Sequence, residues 1–210
     1  MASLIPWVKL ATTQMNVPNR LTVARLVLTA LFLMVVFAQI PFGETISLIL
    51  FAVASLTDYY DGKIARRDKL ITNFWILMDP LADKVLTCSA FIAFVEMGSV
   101  SAWMVVIIVA RELAITGLRL LAASKNVVLA AERYGKHKTV WQIVAIISIL
   151  TLASYPQWGA VGQWIFGWEI AGRTWIAWFT EVAKWGAVLL TLYSGVVYLW
   201  RNRELFLDDM

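Results

Sequence analysis

Four aspartates stand at the edges of two neighbouring apolar stretches. Asp58 and Asp61 close the first stretch, and Asp79 and Asp83 open the next. Carboxylates beside hydrocarbon are costly and usually mark a function. Spacings of three and four residues place each pair on one face of a helix. Two such helices would direct four carboxylates at one small volume, which favours binding of one or two hard divalent cations through oxygen.

Small residues follow the first acid pair. On a helical wheel, Gly62 and Ala65 fall within about 100° of Asp58 and Asp61, so the acid-bearing face carries little side-chain bulk. A bulky ligand beside a metal needs such close access to the helix backbone. Arg66 is placed one turn further on, where it could pair with a phosphate. Alternatively, the four acids only anchor helix ends by pairing with nearby Arg and Lys side chains; their spacing favours a site.

Arginines within an apolar stretch form a second group. Arg111 and Arg119 lie in the fourth stretch, and Lys136 begins the fifth. An arginine in a membrane helix is costly unless it faces a polar cavity. These three cations are suited to bind a phosphate monoester, Arg through its planar fork and Lys as a point charge. The alternative is that Arg111 pairs with Glu112 and with lipid head groups. Lys138 is predicted to contact a loop or lipid.

The composition indicates an all-α integral membrane protein. Of the 210 residues, 60% are hydrophobic and only 15% are charged, and the mean hydropathy is +0.73. Soluble domains carry about 25% charged residues. The net charge of +4 requires no nucleic acid partner. Six apolar runs predict six transmembrane helices; they fall near residues 22–40, 45–57, 82–97, 102–123, 139–155 and 179–200.

The sequence also predicts how the chain is divided and how it is oriented in the membrane. Residues 1–20 are predicted to include a short amphipathic helix lying in the membrane interface, residues 21–203 to form the six-helix domain, and residues 204–210 to be a tail. With the N-terminus inside, 16 of the 18 Lys and Arg residues lie on the inner side, the exceptions being Arg173 and Lys184. The positive-inside rule therefore places both termini and the acidic site in the cytoplasm, in a cell (inner) membrane.

The longest outer segment runs from about Tyr155 to Thr180 and is rich in tryptophan. Indole rings prefer the head-group region of a membrane. We therefore expect an interfacial hairpin here. Its tryptophans are Trp158, Trp164, Trp168, Trp175 and Trp178.

The segment from Asp58 to Asp83 resembles the signature of the CDP-alcohol phosphotransferase family, D-x2-D-G-x2-A-R-x8-G-x3-D-x3-D. The chain up to about residue 150 is similar to the bacterial members of the family that use glycerol 3-phosphate, in MNVPNRLTVARL (15–26), ARELAITGLRLLAA (110–123) and YGKHKTVWQIVAI (134–146). The signature positions that match are Asp58, Asp61, Gly62, Ala65, Arg66, Asp79 and Asp83.

The resemblance implies an activity and roles for these residues. Members of the family transfer a phosphatidyl group from CDP-diacylglycerol to an alcohol and release CMP. The resemblance implies that Mg²⁺ or Mn²⁺ ions, two of them, bind to Asp58, Asp61, Asp79 and Asp83. It also implies that Asp83 is the base that deprotonates the acceptor, that the enzyme is a homodimer in membrane lipid, and that glycerol 3-phosphate is the acceptor. Residues implied to contact the CDP group are Asp58, Gly62, Ala65 and Arg66.

One position departs from the signature. Trp75 stands where the family has glycine. If the segment is continuous helix, residues 75, 79 and 83 form one stripe, and we expect the indole to crowd the nucleotide and lower activity. Pro80 is tolerated if Asp79 lies near the start of the helix, and should kink the helix if it begins at residue 72 or 73.

Three alternative functions remain open. The same chemistry could serve another phosphorylated alcohol, such as inositol phosphate, or phosphatidylglycerol as in a cardiolipin synthase. Trp75 could leave a weakened protein that only binds the lipid nucleotide. The four carboxylates could instead belong to a pathway for divalent cations. Against transport, the outer half of the membrane holds acids only near its surface, at Glu96 and Glu181.

Overall fold

The computed structural model describes residues 17–67, 73–125, 127 and 133–207. Within these ranges, the side chains of residues 18, 59, 61–67, 73–77, 133–136, 206 and 207 lie outside the description. The predicted interfacial helix falls in residues 1–16, which are also outside it. The described chain is all-α, as predicted.

Six helices of 22 to 27 residues dominate the described chain. At 1.5 Å per residue they are about 33–40 Å long, enough to cross a hydrocarbon core of about 30 Å. In chain order they are α1 (Val17–Ala38), α2 (Gly43–Arg67), α3 (Asn73–Glu96), α4 (Ala102–Ser124), α5 (Arg133–Ser154) and α7 (Trp175–Arg201).

Three helical stretches within the described residues are long and apolar enough to cross a membrane: Asn19–Ala38, His137–Phe166 and Trp175–Arg201. Helices α2, α3 and α4 carry the charged residues of the predicted sites, which lower their mean hydropathy. The large apolar side chains on the outside of α4, such as Leu113 (67% exposed) and Leu120 (65% exposed), indicate a surface in contact with lipid.

The predicted hairpin follows α5. A 3₁₀ turn (Tyr155–Trp158) leads into the short helix α6 (Gly159–Phe166), and strands β1 (Glu169–Ile170) and β2 (Arg173–Thr174) pair antiparallel. The two-residue turn between them has positive φ at both positions, 50° and 78°, as the right-handed twist of a hairpin requires. A last short helix, α8 (Glu204–Leu207), ends the described chain.

The loop after α1, the loop after α3 and the hairpin lie at one end of the molecule, which we call the hairpin end. Trp158 Nε1 donates to Thr45 Oγ1 at 2.9 Å, which joins the hairpin to the start of α2. Lys184 Nζ donates to the carbonyl of Ser99 at 3.1 Å, which joins α7 to the loop between α3 and α4. The acidic segments of α2 and α3 therefore lie toward the opposite end.

The core is built from aromatic and aliphatic side chains of all six long helices. Phe32 of α1 and Phe51 of α2 are fully buried with ring centres 5.9 Å apart. Phe91 and Phe94 of α3 and Ile146 of α5 belong to the same cluster. Because α1 packs against both α2 and α3, a side chain on its inner face can contact both acid-bearing helices.

The helices extend beyond the apolar runs that predicted them. Helix α2 ends at Arg67 and α3 begins at Asn73, so the four aspartates lie inside helices rather than at their ends. Pro80 lies inside α3, which begins at Asn73. Of the two alternatives for Pro80, the structure therefore has the one in which the helix begins at residue 72 or 73. Helix α1 begins at Val17, ahead of the apolar run that predicted it from about residue 22.

Candidate active site

Two of the predicted metal ligands meet on a single nitrogen. Arg25 of α1 is fully buried, and its Nη1 lies 2.8 Å from Asp58 Oδ1 of α2 and 3.0 Å from Asp79 Oδ1 of α3. A guanidinium carries one positive charge against these two carboxylates, so the group keeps a net negative charge. The sequence analysis counted Arg25 only as an inner-side cation and missed its place in the site.

Asp83 follows one turn after Asp79 on the same helix and is half-buried. Its carboxylate interacts electrostatically with Lys138 and Arg25, and with the carboxylates of Glu112 and Asp79. The Asp83 carboxylate is therefore within electrostatic reach of both the acid pair on Arg25 and a second charged cluster. Thr87, the next residue along this face, donates from Oγ1 to the Asp83 carbonyl at 3.1 Å and stays within its own helix.

Glu112 is the centre of that second cluster. It is buried on α4 and accepts a hydrogen bond from Lys138 Nζ of α5 and another from Arg111 Nη1, the latter at 3.2 Å. Lys84 of α3 donates to Thr116 Oγ1 on α4. These bonds tie α3, α4 and α5 together beside Asp83.

The expectation for Lys138 was wrong. Its side chain is buried, with 5% exposure, instead of contacting a loop or lipid. A buried ammonium needs an anionic partner, and Glu112 provides one. The Arg111–Glu112 pair that the sequence offered as an alternative is present. This pair does not exclude a phosphate site. Arg111 and Lys138 share the single negative charge of Glu112, so the two cations together keep a net positive charge that a phosphate can bind.

Arg111 and Arg119 both reach the interface between α4 and α7. The Arg119 guanidinium lies 5.8 Å from the ring centre of Tyr198, and its Nε donates to the Tyr198 hydroxyl at 3.4 Å. The aliphatic part of Arg111 packs on Gly195, where a Cβ would come within 2.8 Å of Arg111 Cγ. The two arginines thus share one interface, eight residues apart along α4.

Several predicted site residues have a described backbone only. Asp61, Gly62, Ala65 and Arg66 lie in α2, and Lys136 lies in the first turn of α5. Their side chains, and that of Trp75, are outside the described part. Helix α3 is continuous through residues 75, 79 and 83, which is the condition for the predicted stripe.

The donor set fits a hard divalent cation. Carboxylate oxygens are the ligands that Mg²⁺ and Mn²⁺ prefer, and Asp58 and Asp79 bring two of them from two helices to one point. Among the residues with described side chains, no group of three or more His, Cys, Asp or Glu is close enough to hold a metal; Asp61 is not among those residues.

Comparison with known proteins identifies the family of the chain. The CDP-alcohol phosphatidyltransferase family matches residues 15–193. Curated relatives include the CDP-diacylglycerol–glycerol-3-phosphate 3-phosphatidyltransferase of Bacillus subtilis (strain 168), 36% identical over 90% of this chain and 96% of the relative. The enzyme of the same name from Rickettsia bellii (strain RML369-C) is 31% identical over 91% and 97%.

A third relative points the same way. The probable phosphatidylglycerophosphate synthase of Mycobacterium tuberculosis (strain ATCC 25618 / H37Rv) is 34% identical over 89% of this chain and 81% of its own. The matches extend over nearly the whole length of the chain. The chain belongs to the CDP-alcohol phosphatidyltransferase family.

Proposed function

We propose that the protein transfers the phosphatidyl group of CDP-diacylglycerol to glycerol 3-phosphate, giving phosphatidylglycerophosphate and CMP. The observation that carries the proposal is the meeting of Asp58 and Asp79 at one point, one helical turn from Asp83. The names of the relatives supply the substrates, and the family match supplies the reaction class.

The acidic residues would hold the donor substrate. Asp58, Asp61, Asp79 and Asp83 would bind Mg²⁺ or Mn²⁺, with two ions as the expected number. The bound metal supplies positive charge that neutralises the pyrophosphate and the departing CMP. Gly62 and Ala65 would let the CDP group approach α2, since neither has a large side chain.

Asp83 would act as the base. The C1 hydroxyl of glycerol 3-phosphate attacks the β-phosphorus, its proton passes to the Asp83 carboxylate, and the bond from that phosphorus to the CMP oxygen breaks. A carboxylate must lie within hydrogen-bond reach of the hydroxyl to do this. The electrostatic reach of Asp83 to both the acid pair and the Glu112 cluster supports this role, because the donor and acceptor sites would flank it.

Arg111, Arg119 and Lys136 would bind the phosphate of the acceptor. Glu112 and Lys138 would position Arg111, since both side chains are buried and Glu112 is bonded to Lys138 and to Arg111. In this assignment Glu112 and Lys138 are positioning residues. Arg111 would contact the substrate itself.

The proposal extends to the setting of the site. All six long helices would span the membrane, and the protein would be a homodimer. Residues 1–20 would lie at the membrane interface, residues 21–203 would form the catalytic domain, and residues 204–210 would be a tail. The charged end and both termini would face the cytoplasm, where the CDP head group of the donor lipid would meet water-soluble glycerol 3-phosphate. The distribution of Lys and Arg supports this orientation.

The decisive assay is CMP release from CDP-diacylglycerol by the purified protein. We expect release only when glycerol 3-phosphate and Mg²⁺ or Mn²⁺ are both present. Inositol phosphate and phosphatidylglycerol, supplied in place of glycerol 3-phosphate, test the other acceptors. Release that is unchanged by a chelator would contradict the metal requirement, and release with another acceptor alone would reassign the substrate.

A further inference from the structure

Arg25 is the most deeply buried charge of the acidic site. Its side chain has 0% exposure, and one nitrogen, Nη1, contacts both Asp58 and Asp79. Along α1, Arg25 lies between two other buried polar residues, Thr22 and Thr29. Thr29 Oγ1 donates to the Arg25 carbonyl at 2.8 Å, so the hydroxyl is used within the helix.

A buried arginine requires anionic partners, and buried carboxylates require cations. Without the guanidinium, Asp58 and Asp79 would repel each other across the space between α2 and α3. Arg25 comes from α1, which packs against both of these helices. Its guanidinium therefore joins three helices at the one point where two predicted metal ligands meet.

The same contact conflicts with metal binding. A divalent ion held by both carboxylates would lie close to the guanidinium, since Nη1 contacts Asp58 Oδ1 at 2.8 Å and Asp79 Oδ1 at 3.0 Å. Two cations at such a separation repel strongly in a medium of low dielectric constant. Metal binding and the present Arg25 contacts therefore compete for the same two carboxylates.

We propose that Arg25 is a built-in cation that holds Asp58 and Asp79 together when metal is absent and competes with the divalent ion for them. This inference rests on the proposed metal-dependent function. It makes Arg25 a positioning residue of the acidic site. It also assigns to α1 a role in setting how tightly the metal is held.

The test compares Arg25→Gln with Arg25→Lys and with the control Arg20→Gln, in the full chain purified in detergent. Arg20 lies on the same helix and is exposed, so its replacement removes the same charge outside the site. Mn²⁺ is the probe: electron paramagnetic resonance counts the free ion, and thermal unfolding is followed with and without Mn²⁺.

We expect Arg25→Gln to bind Mn²⁺ about tenfold more tightly than the unaltered protein, because the competing charge is gone. Without metal, its midpoint of unfolding should fall by about 5 °C or more, and Mn²⁺ should restore most of that loss. Arg25→Lys keeps the charge, so its affinity should stay within about threefold of the unaltered protein. Arg20→Gln should change neither quantity.

The outcomes separate the two proposals. Equal or weaker Mn²⁺ binding by Arg25→Gln overturns the competition, while measurable binding by the unaltered protein leaves the proposed function intact. Binding by neither protein overturns both. If Arg25→Gln folds only when Mn²⁺ is supplied during purification, the metal has replaced the guanidinium and the inference is supported. Failure to fold under both conditions counts against it.

Discussion

Asp83 interacts electrostatically with both charged groups of the site. It interacts with Arg25 and Asp79 on one side and with Lys138 and Glu112 on the other. Asp58 and Asp79 are already engaged by Arg25, whereas Asp83 lies one turn closer to the Glu112 cluster. Among the described acids it is therefore best placed to contact an acceptor hydroxyl.

Replacing Asp83 with Asn should abolish turnover while largely sparing binding of CDP-diacylglycerol. The amide keeps the size of the side chain but cannot accept the proton, and loss of a general base costs about 10²–10⁴-fold in rate. CMP release and CDP-diacylglycerol binding are measured separately. Glu169→Gln, in the exposed hairpin, is the matched control and should retain full activity. Full activity in Asp83→Asn would remove Asp83 as the base.

Trp75→Gly should raise CMP release, or the affinity for CDP-diacylglycerol, by about tenfold. Glycine removes the indole that we expect to crowd the nucleotide, and relief of crowding in a packed site is worth about 1–3 kcal/mol. Trp200→Gly is the control, because Trp200 is 70% exposed on α7 and its replacement carries the same helix cost. Equal rates and equal affinities for Trp75→Gly and the unaltered protein would refute the crowding.

The sequence identified the acids at the residue scale but missed their partners. Asp58 and Asp79 were recognised because charge in an apolar chain is rare. Arg25 lies 54 residues from Asp79, and only the packing of α1 brings them together. A charged arginine in an apolar helix is costly, and this cost could have marked Arg25 as a site residue. The same reasoning had been applied to Arg111. Lys138 was missed because Glu112 had been assigned to its neighbour Arg111.

At the scale of helices, the apolar runs predicted the number of long helices in the described chain better than the residues at which those helices begin and end. The apolar runs stop where the site begins, because the residues of the site are polar; the helices continue through them to Arg67 and back to Asn73. A hydropathy pattern reports lipid contact. The backbone hydrogen bonds of a helix continue wherever a polar face meets other helices.

Helices α4 and α7 approach closely where Arg111 packs on Gly195, and this contact allows a test of the proposed acceptor site. A Cβ at Gly195 would lie 2.8 Å from Arg111 Cγ, so Gly195→Ala must displace the arginine near its base. We expect the KM for glycerol 3-phosphate to rise by about tenfold, the loss of roughly one charged hydrogen bond. The KM for CDP-diacylglycerol should change little.

Gly117→Ala is the matched control for that change. Gly117 is also helical, on α4, and a Cβ there would meet no described atom within 4 Å. Both variants gain the same helix propensity, so a difference between them reports the contact with Arg111. An unchanged KM in Gly195→Ala would show that Arg111 does not depend on this contact or does not bind the acceptor.

At the scale of the whole molecule, the two ends differ in chemistry. The hairpin end carries exposed tryptophans, including Trp164 and Trp168, whose rings suit a membrane interface. The opposite end contains the Arg25 and Glu112 clusters. An enzyme that joins a water-soluble phosphate to a lipid nucleotide needs its charged residues at one membrane surface, and the bundle places them together at one end.

The orientation of these two ends can be tested with cysteine labels. The single Cys88 is first replaced by Ala. Either Glu169→Cys, in β1 before α7, or Arg203→Cys, just after α7, is then introduced. The positive-inside rule predicts that a membrane-impermeant maleimide labels Glu169→Cys in intact cells but reaches Arg203→Cys only after permeabilisation. Labelling of both after permeabilisation is the control. The reverse pattern would place the charged end outside, away from cytoplasmic glycerol 3-phosphate, and would contradict the proposed acceptor together with the orientation.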